Sequence, residues 1–196
     1  MKRTLCLALC VLSVFPFTSC RNTSPEETFE MPAAASPPDT MAIDKLLHVV
    51  NELLGYEDES EKKFVRAAAE VFSVPASSGE NETLYLFMVG DLEIGIFASS
   101  EKDCIVSAYV RLLFDYAMVE AHMMSFAGVF LAALEPNEYE KMLSSVLPAN
   151  EDKNEDKVDE SKIASGEFWS IRYTRNLMNI MPKEALNDSP FSVDLP

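Results

Sequence analysis

Glycine is scarce in this chain, at 6 of 196 residues, and histidine scarcer still, at 2. So few glycines leave little room for the close backbone approach by which a loop cradles a phosphate, and neither that loop nor a G-x-S-x-G nucleophile elbow occurs. With His48 and His122 the only histidines, a His-rich metal site is excluded, and no cofactor is expected. Basic residues are few as well: 16 against 32 acidic ones, a net charge of −16. Nucleic acid and anionic headgroups need clustered Lys or Arg, so both are poor partners and no nucleic acid is expected.

Long apolar runs are missing too, with one short exception at the start. Lys2 and Arg3 precede Thr4 to Phe17, a stretch whose only polar residues are Thr4 and Ser13. That core is too short for a permanent membrane helix and fits a secretory leader over residues 1–19. Phe17-Thr18-Ser19-Cys20 closes it with two small residues before a cysteine. The tetrad resembles the lipobox of bacterial lipoproteins, although Phe17 stands where Leu is usual. The resemblance implies that the Cys20 thiol is acylated, that the leader is cut just before it, and that the protein is anchored to the bacterial cell envelope. Ordinary secretion would need a small-x-small site, and Ala33-Ala34-Ala35 lies about sixteen residues beyond the core, too far for a normal leader.

The cysteine count agrees with export. Cys6 and Cys10 leave with the leader and Cys20 carries lipid, so Cys104 is left alone and no disulfide scaffold forms. Cys104 opens the apolar Cys104-Ile105-Val106 and reads as a buried, inert thiol. Without Lys2 and Arg3 the 16 basic residues become 14, against 32 acidic, a net charge of −18. Membrane attachment must then come from acyl chains on Cys20 and not from a polybasic surface.

Residues 20–40 carry Pro25, Pro32, Pro37 and Pro38 among Ser, Thr, Glu and Ala, the composition of a disordered tether. A single domain is expected over 41–181. Ile43, Leu46, Leu47, Val50 and Leu54 repeat at the helical period, with Gly55 ending that helix. Asp58 with Glu61 forms a capping box for a second helix that stops before Pro75. Leu84–Val89 and Leu92–Ala98 flank Gly90-Asp91 as a tight hairpin, pairing Val89 with Leu92, Phe87 with Ile94 and Tyr85 with Ile96. Cys104–Val110 completes a three-strand meander. A long helix from about Arg111 to Leu134 follows, then a shorter one from Pro136 with Tyr139, Met142, Leu143 and Val146 on its stripe. Residues 150–162 read as a charged loop, Gly166–Thr174 as a last strand with Trp169, Ile171 and Tyr173 on one face, and 182–196 as an irregular tail. The expected fold is α+β, a small antiparallel sheet (the three-strand meander plus one later strand) packed with about four helices.

The long helix carries the candidate chemistry. Projected at 100° per residue, Arg111, Asp115, His122 and Ser125 share a polar side, while Glu120 points among Leu113, Tyr116, Met123, Met124, Ala127 and Leu131. A carboxylate in an apolar stripe needs a cation or hydrogen bonds, or has its pKa raised, so Glu120 is the candidate buried functional carboxylate. Asp115 and His122 stand two turns apart, too far for a direct hydrogen bond. Asp152-Lys153-Asn154-Glu155-Asp156 opens like a calcium loop but has Lys157 and Ile163 where an EF-hand wants Gly and Glu, so no metal is assigned. The methionines at 118, 123, 124, 178 and 181 read as core filling. No catalytic residue is assigned. The expected function is a lipid-anchored, non-enzymatic binding or assembly factor with a protein partner in the envelope. The alternative is a hydrolase-like envelope enzyme using Glu120 or the Asp115/His122 side of the helix.

Overall fold

Leu92–Ser99 is buried along its whole length, which places it inside a sheet and not at its edge. The computed structural model describes residues 34–56, 63–75, 81–113, 117–146, 161–174 and 176–187, with backbone alone at 117–120 and 186–187. All of them belong to one unit, Met31–Pro196. In chain order the elements are α1 (Ile43–Leu53), β1 (Glu70–Pro75), β2 (Asn81–Val89), β3 (Leu92–Ser99), β4 (Ile105–Leu112), α2 (Ala117–Leu134), α3 (Tyr139–Val146), β5 (Lys162–Ser165), β6 (Trp169–Thr174) and β7 (Leu177–Pro182). The strands form one antiparallel sheet in the order β1-β2-β3-β4-β7-β6-β5. Two meanders, β1 to β4 and β5 to β7, are joined through α2 and α3, and they meet at the β4–β7 pair.

This corrects the expected small sheet with about four helices: the described residues hold seven strands and three α-helices. The missing helix is the segment before Pro75. Val65 is extended, Arg66–Ala68 make one 3-10 turn, and Glu70–Pro75 is the edge strand β1. Two tertiary contacts override the helical reading. Val71, Phe72 and Val74, good strand formers, pair with Tyr85, Leu84 and Glu82 of β2. The buried Asn51 side chain then grips Phe64 as a neighbouring strand would. Its Nδ2 donates to the Phe64 carbonyl at 2.7 Å and its Oδ1 accepts the Phe64 N–H at 3.1 Å. The capping box at Asp58 and Glu61 lies outside the described residues.

The hairpin stands as read: Val89 faces Leu92, Phe87 faces Ile94 and Tyr85 faces Ile96, with Gly90 at φ +61° in the turn. The third strand, however, runs two residues past Val110. Arg111 pairs with Glu93 on one side and with Leu177 on the other, so it belongs to β4 and not to the long helix, which starts at Ala117. β5 and β7 are the other two strands that the expected sheet lacked.

The period-2 alternation sorts side chains onto two faces. Tyr85 and Phe87, Ile94 and Ile96, Ala108 and Val110, Met178 and Ile180, Trp169 and Ile171 join the three helices in the main core. The helices bring Leu46, Val50, Met123, Phe130, Leu131 and Met142. A bulge between Phe97 and Ala98 shifts the β3–β4 register, so Ile105 and Ala108 both reach this core despite their odd spacing. Phe64 anchors it, with ring centroids 5.3 Å from Phe87, 6.0 Å from Phe126 and 5.9 Å from Phe130. Ser36, Asp39 and Thr40, at the end of the expected tether, are bonded down: Ser36 N–H to Leu134 O at 2.9 Å, Asp39 N–H to Ile105 O at 3.0 Å, and Thr40 Oγ1 to Pro37 O at 2.6 Å. No described helix is long and apolar enough to cross a membrane.

Candidate functional site

Among the described residues, the apolar part of the second face of the sheet is built from strand side chains. It centres on Leu84, Phe97 and Tyr109, with Val74, Leu86, Val106 and Leu177 packed around them. Register makes the face a grid. One row runs Met88, Glu93, Arg111, Leu177 and Thr174; the next runs Leu86, Gly95, Tyr109, Asn179, Arg172 and Ile163.

The Tyr109 ring lies directly over Gly95, where a Cβ would stand 2.1 Å from Tyr109 Cε1. Only glycine permits that approach, and the ring covers backbone that a side chain would otherwise cover. From there the Tyr109 hydroxyl donates to Glu93 Oε1 at 2.9 Å, and Arg111 Nη2 donates to the same carboxylate at 2.7 Å. Glu93 is 8% exposed, so this is a nearly buried charge held by one cation and one phenol. Burial, reinforced by the bond to Glu93, pushes the Tyr109 phenol well above its ordinary pKa and keeps it a neutral donor.

Three donors beside this network are unused. Arg111 Nε and Arg172 Nε are both shielded from solvent without a hydrogen-bond partner. Asn179, 8% exposed and paired in register with Tyr109 on one side and Arg172 on the other, makes no side-chain hydrogen bond among the described residues. Met88 and Ile163, 54% and 46% exposed, stand at the two ends of these rows. A cavity of about 10 Å³ between Phe97, Ser107, Tyr109, Asn179 and Met181 has room for one water at most.

The residues singled out from sequence do not converge. Cys20, Asp115 and the 152–156 segment lie outside the described residues, as does the side chain of Glu120, whose backbone is in α2. His122 and Ser125 are exposed on α2, and Ser125 Oγ donates to Ala121 O at 2.9 Å. His48 is exposed on α1. Cys104 is half-buried, its Sγ donating to Lys102 O at 3.4 Å. Met123 and Met178 fill the main core, whereas Met181 is buried on the other face. The described residues hold no group of three or more His, Cys, Asp or Glu that could bind a metal ion. The buried acids that sequence reasoning missed are Glu93 in β3 and Glu135 at the end of α2. The one signal for Glu93 was a charge at an alternate position between Leu92 and Ile94, facing away from the main core.

Comparison with protein-family models, with curated proteins and with solved structures finds no match for this chain.

Proposed function

We propose that this chain is a lipid-anchored protein of the bacterial cell envelope that acts as a non-enzymatic binding factor, using the second face of its sheet. Cys20 behind the leader supports the anchor, and acyl chains suit a domain too acidic to hold anionic headgroups. The second face carries the binding role. There two of the exposed apolar side chains, Met88 and Ile163, bracket a polar band whose guanidinium groups keep unused donors. Exposed apolar groups beside unpaired donors are the mixture from which a protein interface is made, with arginine prominent among its anchors. A chain with twice as many acids as bases has carboxylates in abundance to pair with Arg172. Yet among the described residues Arg172 makes no ion pair.

Site-specific photocrosslinking in cells tests this reading. A crosslinking residue at Met88 or at Ile163 of the full-length protein should trap one reproducible envelope protein. The same residue at the exposed His122, on α2, should not. Equal capture from all three positions, or none from Met88 and Ile163, would remove the second face as a binding surface.

A further inference from the structure

β1 is an edge of the sheet, with β2 its only strand neighbour among the described residues, and it leaves Val71 and Phe72 55% and 42% exposed. Which of its backbone groups are free follows from register. In an antiparallel strand the N–H and C=O of one residue point to the same side. Ser100 N–H donates to Asn81 O at 3.1 Å, so Asn81 turns toward β3, and Thr83 and Tyr85 turn with it. Glu82, Leu84 and Leu86 therefore turn toward β1, where they pair with Val74, Phe72 and Glu70. The N–H and C=O groups of Val71 and Ser73 are left pointing out from the edge, along with the C=O of Pro75. Pro75, which has no N–H to give to β2, falls at an outward position, as this assignment requires. β5, at the other end of the sheet, is only four residues long and begins with Lys162, two devices that blunt an edge. Between Glu70 and Pro75, β1 carries no charge at all.

We infer that β1 pairs antiparallel with β1 of a second copy of this chain, with Phe72 opposite the second copy's Phe72. In that register Val71 of each copy faces Ser73 of the other, and every outward N–H of both residues finds a carbonyl. Both ends of the strand select it. A shift of two residues one way sets Ser73 opposite Ala69, whose N–H is already given to Arg66 O. The same shift the other way sets Val71 opposite Pro75, which has no N–H. Charge and side chains agree with a second copy as the occupant. Glu70 falls opposite Val74 and not opposite another Glu70, and the two Phe72 rings form a cross-strand aromatic pair. Phe72 shares the face of Leu84, so pairing joins the second faces of the two copies into one surface. The contact is isologous and closes at two copies. Two six-residue strands bury less than the roughly 1,000 Å² of a lasting interface, and each copy carries a net charge of −16, so the pair is transient.

Disulfide trapping reads a transient pair. Opposed positions that exchange no hydrogen bonds have Cα atoms about 4.5 Å apart, within reach of a disulfide. Two Val71 residues in the same register are displaced by two positions along the strand, about 8 Å apart and out of reach. Phe72→Cys and Val71→Cys are each made in the full-length chain carrying Cys104→Ser, purified in detergent and oxidised with copper phenanthroline. Mass spectrometry of the unreduced dimer identifies the linked thiols. Phe72→Cys should give at least about tenfold more disulfide dimer than Val71→Cys, although Val71 is the more exposed of the two. Ser73→Pro removes one outward N–H per copy and no bond to β2, so it should abolish the Phe72→Cys dimer and leave the unfolding midpoint unchanged. Equal yields at the two positions would mean random collision and would overturn the pairing. So would the absence of dimer from Phe72→Cys, or its survival with Ser73→Pro.

Discussion

Glu135 Oε1 accepts the backbone N–H groups of both Phe168 and Trp169, at 2.6 and 2.7 Å, from the far end of α2. The acid is 1% exposed and sits where a helix C-terminus disfavours negative charge. Its identity therefore reflects the two N–H groups of the β5–β6 turn, not the helix. The same corner is closed by Trp169 Nε1, which donates to Ser36 O at 2.5 Å, and by Gly166, where a Cβ would meet Glu135 Cδ at 2.8 Å. Glu135→Ala leaves both N–H groups buried without a partner and should cost about 3 kcal/mol. Glu135→Gln keeps an acceptor but loses the charge, and should cost about 1–2 kcal/mol. Urea unfolding of the two variants measures both. Equal losses would mean that the acceptor is not what matters here.

The pairing of Gly95 with Tyr109 makes a second prediction. A methyl at position 95 displaces the ring and breaks its bond to Glu93, so Gly95→Ala should destabilise by about 2–3 kcal/mol. If the clash is with the ring, Tyr109→Ala relieves it. The double variant should then be at least about 1 kcal/mol more stable than additivity predicts. A strictly additive cycle would place the strain in the backbone instead.

Both relationships show where sequence reasoning reaches and where it stops. The β2–β3 hairpin was legible pair by pair, because a period of two and a two-residue turn are local signals. α1 was legible too, from its stripe and from Gly55 at φ +74°. β1 was not, because its strand character comes from pairing with β2 and from Asn51 holding Phe64 across 13 positions. Arg111 was placed on a helix because its partner Leu177 is remote in the chain. For the same reason Glu120, in a helical stripe, stands out from the sequence while Glu93, inside a strand, does not. Glu135, next to Pro136, carries only the local signal of a helix end. Nothing local marks Tyr109 as the cover of Gly95.

Cys20→Ser isolates the anchor from the fold. Acyl chains contribute about 0.8 kcal/mol per buried CH₂, and no basic patch is expected to replace them in so acidic a chain. The variant should move from the membrane fraction to the soluble fraction with its unfolding midpoint unchanged. Retention in the membrane would show that attachment does not depend on the Cys20 thiol.

Glu82 supplies a test with a defined pH sign. It faces Val74 on β1 and Ser99 on β3, half-buried, and desolvation raises its carboxyl above the ordinary 4.5. A raised folded-state pKa means that the native state favours the protonated form. Its stabilising contribution is complete below the unfolded-state value and is lost as pH rises through the folded one. At neutral pH the ionised side chain is therefore a burden, reduced by its partial exposure. Glu82→Gln should be more stable than the parent at pH 7 by about 0.5 kcal/mol. The gap should close well below pH 4.5, where both side chains are neutral. Urea midpoints of the two proteins measured across this range decide it. A variant less stable than the parent at neutral pH would mean that the carboxylate makes a favourable contact that outweighs its desolvation.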